Sequence, residues 1–119
     1  MKFLILIFCF LSFSLYAQED EVDAIPLAQN LLKNGHFKRA INVLEKHKPN
    51  KDELDDLKEY HTLLGLAYFQ NKEFAKSEKE FLKSFNFGQK DNVFYFFYAQ
   101  SLFKQEKWQE TLGFLKSKE

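Results

Sequence analysis

Three histidines are the side chains of this sequence best suited to acid–base chemistry or metal binding near neutral pH. His36, His47 and His61 stand 11 and 14 residues apart, and no pair has the four-residue spacing that places two ligands on one helix face. We expect His36 in an exposed turn and His47 near a helix end, where a cation is favourable. The adjacent carboxylates Asp55 and Asp56 are typical of a solvated helix surface. The histidine spacing predicts no metal centre.

Other residues with catalytic potential are scarce. The four glycines stand far apart, at positions 35, 65, 88 and 113, and form no glycine-rich loop that could cradle a phosphate. The single cysteine, Cys9, lies in an apolar N-terminal run, so a chain without that run has no thiolate nucleophile and no disulfide. We therefore predict that the protein is not an enzyme and that it has no catalytic residue, no metal and no cofactor.

The charge balance argues against nucleic acid and membrane surfaces as partners. The chain has 17 basic and 17 acidic side chains, so it has no net field that attracts polyanions. Lys46, Lys48 and Lys51 cluster in sequence, but Glu45 and Asp52 interrupt them and no basic stripe forms. Another protein is therefore the expected class of partner.

The first seventeen residues have the layout of a secretory signal peptide. Lys2 makes a short basic region, residues 3–11 are apolar, and Ala17 is a small residue that precedes the acidic segment 18–23. An uncleaved membrane anchor is the alternative, but the apolar stretch is short for a bilayer that needs about 20 apolar residues. We predict cleavage after Ala17 and an acidic linker at 18–23. The expected product is exported, periplasmic in a bacterium or otherwise secreted, and has no membrane contact after cleavage.

The rest of the chain repeats a pattern of helix, turn and helix. Apolar residues at helical spacing precede and follow each turn. Small residues recur in the first helix of each unit and aromatic residues recur in each turn, both at intervals of 37 and 34 residues. They are Ala28, Gly65 and Ala99, and Phe37, Phe74 and Trp108. The first series predicts a close helix contact at Gly65, where leucine is expected to overpack the contact and alanine to be far milder.

Residues 93–98, a valine followed by five aromatics, conflict with a helical interpretation. By propensity alone such a run is a strand, but no second β-rich run follows residue 17 to pair with it. We therefore predict that tertiary packing makes this segment helical. Asp91 and Asn92 offer an N-cap for its helix, and Gly88 is expected to end the preceding helix.

With these residues the chain resembles the tetratricopeptide repeat family, whose unit is a 34-residue pair of antiparallel helices. The resemblance implies an all-α fold, a right-handed solenoid of three stacked helix-turn-helix repeats. It implies a repeat domain at 24–119, with units at about 21–57, 58–91 and 92–119. In departure from the family pattern, only the first unit keeps a glycine in its turn, and two units have serine or threonine in place of the second small residue.

One face of the first helices lines a concave groove in tetratricopeptide arrays, so the resemblance implies a peptide-binding groove. Its candidate residues are Leu32, Thr62, Leu66, Phe69, Phe96, Gln100, Phe103 and Lys104. Because several of them are large and apolar, the expected ligand is an apolar peptide or helix of another protein, and the expected role is that of a scaffold. The alternative is that the repeats themselves, or residues 18–24, cover these side chains.

The basic and asparagine side chains with which some family members clamp acidic chaperone tails are absent. The corresponding places are Ile25, Gln29, Leu66, Phe96 and Gln100. Such tails are therefore not an expected ligand.

The last segment, 107–118, is the second helix of the third unit, and no further helix follows it. We expect an inner stripe of Trp108, Leu112 and Leu115, with Phe114 pointing toward a missing neighbour. That neighbour is a second copy, a different protein or a further part of a longer chain. The alternative function is accordingly self-association, as a homodimer, through this C-terminal helix.

Overall fold

The computed structural model describes residues 23–118, in which six α-helices are joined by short turns. They are α1 (Ala24–Lys33), α2 (Phe37–Lys46), α3 (Leu54–Gln70), α4 (Phe74–Asn86), α5 (Asn92–Lys104) and α6 (Trp108–Lys116). No strand occurs in this range, so the predicted all-α class is confirmed. The signal peptide at 1–17 and all but the last residue of the linker at 18–23 lie outside the described residues.

Each helix packs against the next helix along the chain. In addition, α3 contacts α1, and α5 contacts α3. A helix that opens a new pair therefore rests on both helices of the pair before it.

The turns inside the three helix pairs share one backbone conformation. Gly35, Lys72 and Glu106 have φ angles of 80°, 62° and 62°, in the left-handed region that favours glycine. In each turn the N–H of this residue donates to the carbonyl three residues earlier, and the next N–H donates to the carbonyl five residues before itself. This Schellman arrangement satisfies carbonyls at the end of a helix. The three turn residues stand 37 and 34 apart, as the sequence series do.

The small side chains predicted at close helix contacts are buried. Gly65 faces the ring of Phe81, which is fully buried, and a Cβ at Gly65 would lie 2.5 Å from two of its ring carbons. Because the ring is enclosed, it cannot move aside without disturbing its neighbours. Alanine at position 65 therefore requires the neighbours of this ring to shift, whereas Ala28 and Ala99 already occupy the equivalent places.

The aromatic segment 93–98 lies within α5, as predicted. Asp91 is the N-cap, and its side chain accepts a hydrogen bond from the backbone N–H of Val93 at 2.7 Å. Gly88, with φ of 95°, follows the end of α4, also as predicted. Tertiary packing has overridden strand propensity here, because Phe94 is buried against the rings of α4.

The predicted inner stripe of α6 is wrong. Trp108, Leu112 and Leu115 are all exposed. Thr111 is instead the buried residue of α6, and Phe114 packs inward against aromatic rings of α5. The reason is that α6 contacts only α5 among the described helices, so only one narrow face is covered.

Candidate functional site

The structure separates the predicted groove residues into two groups. Leu32, Leu66 and Phe69 are half-buried, and Thr62 is buried. The ring of Phe69 makes edge-to-face contacts with Phe74 on α4 and with Phe97 on α5, at centroid distances of 5.3 and 5.4 Å. The first group therefore lies among helices that already pack on one another.

Thr62 is engaged in hydrogen bonds within the fold. Its hydroxyl donates to the carbonyl of Lys58 at 2.9 Å, and its oxygen lies within hydrogen-bond distance of the Ser84 hydroxyl on α4. It also accepts from the Nε2 of Gln89 at 3.0 Å. Gln89 uses its Oε1 as well, which accepts from the backbone N–H groups of Lys90 and Asp91. Thr62 thus joins α3, α4 and the connection to α5.

The second group lies on the outer face of α5. Phe96 and Phe103 are 57% and 49% exposed, Gln100 is half-buried, and Lys104 is exposed at the C-terminal end of the helix. Between α5 and α6 is an open cleft of about 450 Å³. Its lining includes Phe96, Ala99, Gln100 and Phe103 from α5, and Thr111, Phe114 and Leu115 from α6. The structure therefore brings Phe96, Gln100 and Phe103 together in one place.

Aromatic contacts shape this cleft. The ring of Phe103 meets that of Trp108 edge to face, 4.8 Å between centroids, and joins the end of α5 to the start of α6. Phe114 makes similar contacts with Tyr95 and Tyr98, at 5.7 and 4.6 Å. Such pairs stabilise by about 0.5–1.5 kcal/mol beyond their apolar burial. The cleft is thus bounded by packed rings, while the outer faces of its phenylalanines stay exposed.

One end of the cleft is positively charged. The ammonium of Lys118 lies 4.2 Å from the ring centroid of Tyr95, and 5.2 and 5.5 Å from those of Phe85 and Phe114. These distances are within the range of cation–π attraction. A ligand in the cleft would therefore meet both an apolar floor and a cationic end.

Sequence reasoning singled out Phe114 and Leu115 on α6, but it missed Thr111 as a lining residue. A signal for Thr111 was available, because Ser77 and Phe81 stand at the same distances from their own turn residue as Thr111 and Leu115 do. Both Ser77 and Phe81 are fully buried. Transferring their positions to α6 would have kept Leu115 in the predicted stripe and added Thr111 to it.

The structure also contains a buried imidazole–carboxylate pair that the sequence analysis did not anticipate. Nδ1 of His61 lies 2.7 Å from Oε2 of Glu80, and the two side chains are only 6% and 12% exposed. Burial acts to raise the pKa of Glu80, but the hydrogen bond with His61 and the charge of Lys83 outweigh it, so this pKa lies below its usual value. Because His61 lies on α3 and Glu80 on α4, the pair joins the two helices. The ring of Phe87 stacks on the imidazole.

Within residues 23–118, no group of three or more His, Cys, Asp or Glu side chains could hold a metal ion. None of the helices described there combines the length and the apolarity needed to cross a membrane. Comparisons with protein-family models, with curated proteins and with solved structures found no match to this chain.

Proposed function

We propose that this protein is a non-catalytic interaction scaffold that binds an apolar peptide or helix of another protein in the cleft between α5 and α6. The observation that carries this proposal is the continuous apolar surface formed there by Phe96, Phe103 and Leu115, each about half exposed. Contiguous apolar surface of this kind marks sites of protein interaction. Gln100, on the same surface, adds a hydrogen-bonding group that can select among ligands.

We propose further that the six helices form a short array of the tetratricopeptide type. Support comes from the three turns of equal conformation at intervals of 37 and 34 residues. The packing of α3 on α1 and α2, and of α5 on α3 and α4, is what stacked helix-turn-helix units produce. In such an array no described helix covers the stacking surface of the α5–α6 pair.

Export is a proposal that rests on the N-terminal sequence. A chain exported by signal cleavage begins at Gln18, and mass spectrometry of the isolated protein measures this directly. Ala17→Arg should block processing and leave a longer, membrane-retained product, because cleavage requires a small residue there. An exported chain that keeps Met1 would contradict the proposal.

The binding proposal is tested by cross-linking in the living cell. The photoreactive residue p-benzoylphenylalanine replaces Phe103 in the cleft and, as a control, Lys79, which is exposed on α4. Irradiation should yield an adduct with a different protein from position 103 and none from position 79. No adduct from position 103, or equal adducts from both positions, would contradict the proposal. An adduct of twice the mass of the chain would favour self-association through the same surface.

A further inference from the structure

The α5–α6 cleft is the third of three equivalent surfaces, and helices of the chain itself occupy the other two. α3 covers the α1–α2 surface and α5 covers the α3–α4 surface. Leu44, Phe81 and Leu115 each stand nine residues after the left-handed residue of their turn. Leu44 and Phe81 are fully buried, whereas Leu115 is 49% exposed. No helix in the described part of the chain covers Leu115 as α3 and α5 cover its equivalents.

In side-chain chemistry the third surface matches the first more closely than the second. Residues Ala28, Gln29 and Leu44 of the first surface recur unchanged as Ala99, Gln100 and Leu115. Leu32 and Val43 recur as the larger apolar residues Phe103 and Phe114. The second surface is more polar, with Thr62, Glu80 and Ser84 among its residues. A helix that fits the third surface should therefore resemble α3, the occupant of the first.

The face that α3 turns to the first surface has a simple pattern. Tyr60, Leu63, Leu64 and Ala67 are buried in one cluster with residues of α1 and α2. Relative to the tyrosine, these residues stand at i, i+3, i+4 and i+7. The position of Tyr60 is aromatic in α5 too, where Phe94 packs against the ring of Phe81. An aromatic residue at i and a small one at i+7 are thus the features expected of an occupant.

Two polar contacts of α3 indicate charge on the ligand. Glu59, at i−1, accepts a hydrogen bond from Nε2 of Gln29 at 3.3 Å, and Gln100 offers the equivalent donor in the cleft. Tyr68, at i+8, donates its hydroxyl to Glu45 on α2. The residue equivalent to Glu45 is Lys116, so the matching ligand needs an acceptor at i+8 instead of a donor.

The rim of the third surface also favours a negatively charged ligand. Lys104, Lys116 and Lys118 are exposed around the ends of α5 and α6. Lysines at an interface rim attract ligands of opposite charge and accelerate their association. An acidic helix is therefore favoured over a neutral or basic one.

A second copy stacked head to tail does not provide such a helix. In α1, the only first helix without a preceding pair among the described residues, the positions equivalent to Tyr60 and Ala67 are Asp23 and Asn30. Both are exposed. Docking α1 would place a carboxylate where an aromatic ring is buried, and an amide where a small residue is buried, at the cost of desolvating both groups. This mismatch argues against α1 of a second copy and favours a helix of a different protein as the occupant.

We propose that the α5–α6 cleft binds an acidic amphipathic helix of another protein, with an aromatic residue at i, apolar residues at i+3 and i+4 and a small residue at i+7. A carboxylate at i−1 accepts from Gln100, and a second carboxylate at i+8 faces Lys116. This inference rests on the proposed function and specifies its ligand. The helix lies in the cleft as α3 lies on α1 and α2.

The experiment uses a synthetic peptide of residues 53–71 that carries Tyr68→Glu, and the protein isolated after expression with its own N-terminal segment. Trp108 is the single tryptophan and contacts Phe103 in the cleft, so its fluorescence reports binding while the peptide contains none. We expect a saturable change in emission. The same peptide with Tyr60→Ser and Leu64→Ser should bind at least tenfold more weakly, since two buried anchors are removed.

Variants of the protein locate the site. Leu115→Ser should weaken peptide binding about tenfold, whereas Leu112→Ser, an exposed leucine on another face of α6, should leave it unchanged. Gln100→Ala should weaken binding about threefold through loss of one hydrogen bond, and it tests the site even if Leu115→Ser disturbs α6. Circular dichroism of each variant checks that the helices are retained.

The proposal is overturned by an absence of saturable binding or by equal losses in Leu112→Ser and Leu115→Ser. It is also overturned if sedimentation shows a dimer that Leu115→Ser dissociates, since a second copy then occupies the cleft. A cross-linked partner at position 103 without peptide binding would leave the scaffold function standing and refute this ligand. Failure of both experiments would refute both.

Discussion

The α3–α4 pair and the α5–α6 pair have the same turn conformation but opposite chemistry between their helices. In the first, His61 binds Glu80, and the hydroxyl of Ser77 donates to the carbonyl of Gly65 at 2.7 Å. In the second, the residues equivalent to His61 and Glu80 are Tyr95 and Phe114, whose rings meet edge to face. At these equivalent positions, polar links therefore join one pair and aromatic contacts join the other.

Coverage decides which pair has surface to offer, because α5 packs on the α3–α4 pair and no described helix packs on the α5–α6 pair in that way. Hydrogen bonds need particular partners, and among the described residues no buried side-chain nitrogen or oxygen lacks one. The polar pair is thus satisfied inside the fold. Aromatic side chains pack on one side and leave the other available. One backbone plan hence yields a covered pair whose polar groups are satisfied and an uncovered pair whose aromatic side chains stay half exposed.

The largest expected effect breaks the α3–α4 pair at its closest contact. Gly65→Leu should lower the free energy of unfolding by about 3 kcal/mol, and Gly65→Ala by about 1–3 kcal/mol, because each added atom meets the enclosed ring of Phe81. Gly113 lies in α6 with nothing within 4 Å of a Cβ, so Gly113→Ala should raise it by about 0.5–1 kcal/mol. Denaturant unfolding measures both. If Gly65→Ala and Gly113→Ala change the free energy of unfolding in the same direction, the packing described is refuted.

The second effect compares equivalent phenylalanines in the two pairs. Phe69→Ser should cost about 3 kcal/mol, since α5 covers that ring. Phe103→Ser should cost about 1 kcal/mol, since half of its ring is exposed. Thermal unfolding of the two variants gives the comparison. If Phe103→Ser proves as costly as Phe69→Ser, the cleft residues belong to the core and the binding surface must lie elsewhere.

The third effect is a pH dependence confined to the polar pair. The folded-state pKa of Glu80 lies below its ordinary value of 4.5. The pair therefore contributes its full stability above about pH 4.5 and loses it as the pH falls toward the folded-state pKa. Glu80→Gln should lower stability by about 1–3 kcal/mol at pH 7 and reduce the further loss on acidification. A wild-type and a variant curve that stay parallel from pH 7 to pH 3 would contradict this role.

The smallest expected effect tests whether the three turns share one backbone conformation. Lys72 and Glu106 are non-glycine residues with positive φ, which costs each about 1 kcal/mol. Lys72→Gly and Glu106→Gly should each raise the free energy of unfolding by up to about 1 kcal/mol, and Gly35→Ala should lower it by a similar amount. Chemical denaturation at one pH suffices to rank the three. A destabilising Glu106→Gly would show that the third turn differs from the first.

The sequence could predict those features that repeat. The intervals between Ala28, Gly65 and Ala99 located the turns, and the absence of a second β-rich run assigned residues 93–98 to a helix. The face of α6 was mispredicted because an apolar stripe was assumed to have a core behind it, while α6 contacts only α5. His61 and Glu80 are 19 residues apart and lie on either side of the turn between α3 and α4. Predicting their contact from sequence would have required the position of that turn to within one residue.

The side chain of Gln89 has a consequence for motion. Its amide donates to Thr62 on α3, and its oxygen accepts from the backbone N–H groups of Lys90 and Asp91, just before α5 begins. Bending of the last helix pair away from the middle pair would strain the hydrogen bond between Gln89 and Thr62. We therefore expect the connection between α4 and α5 to resist hinge motion. The cleft and the helices beneath it should tumble as one rigid body, and a ligand would meet a surface whose orientation is already set.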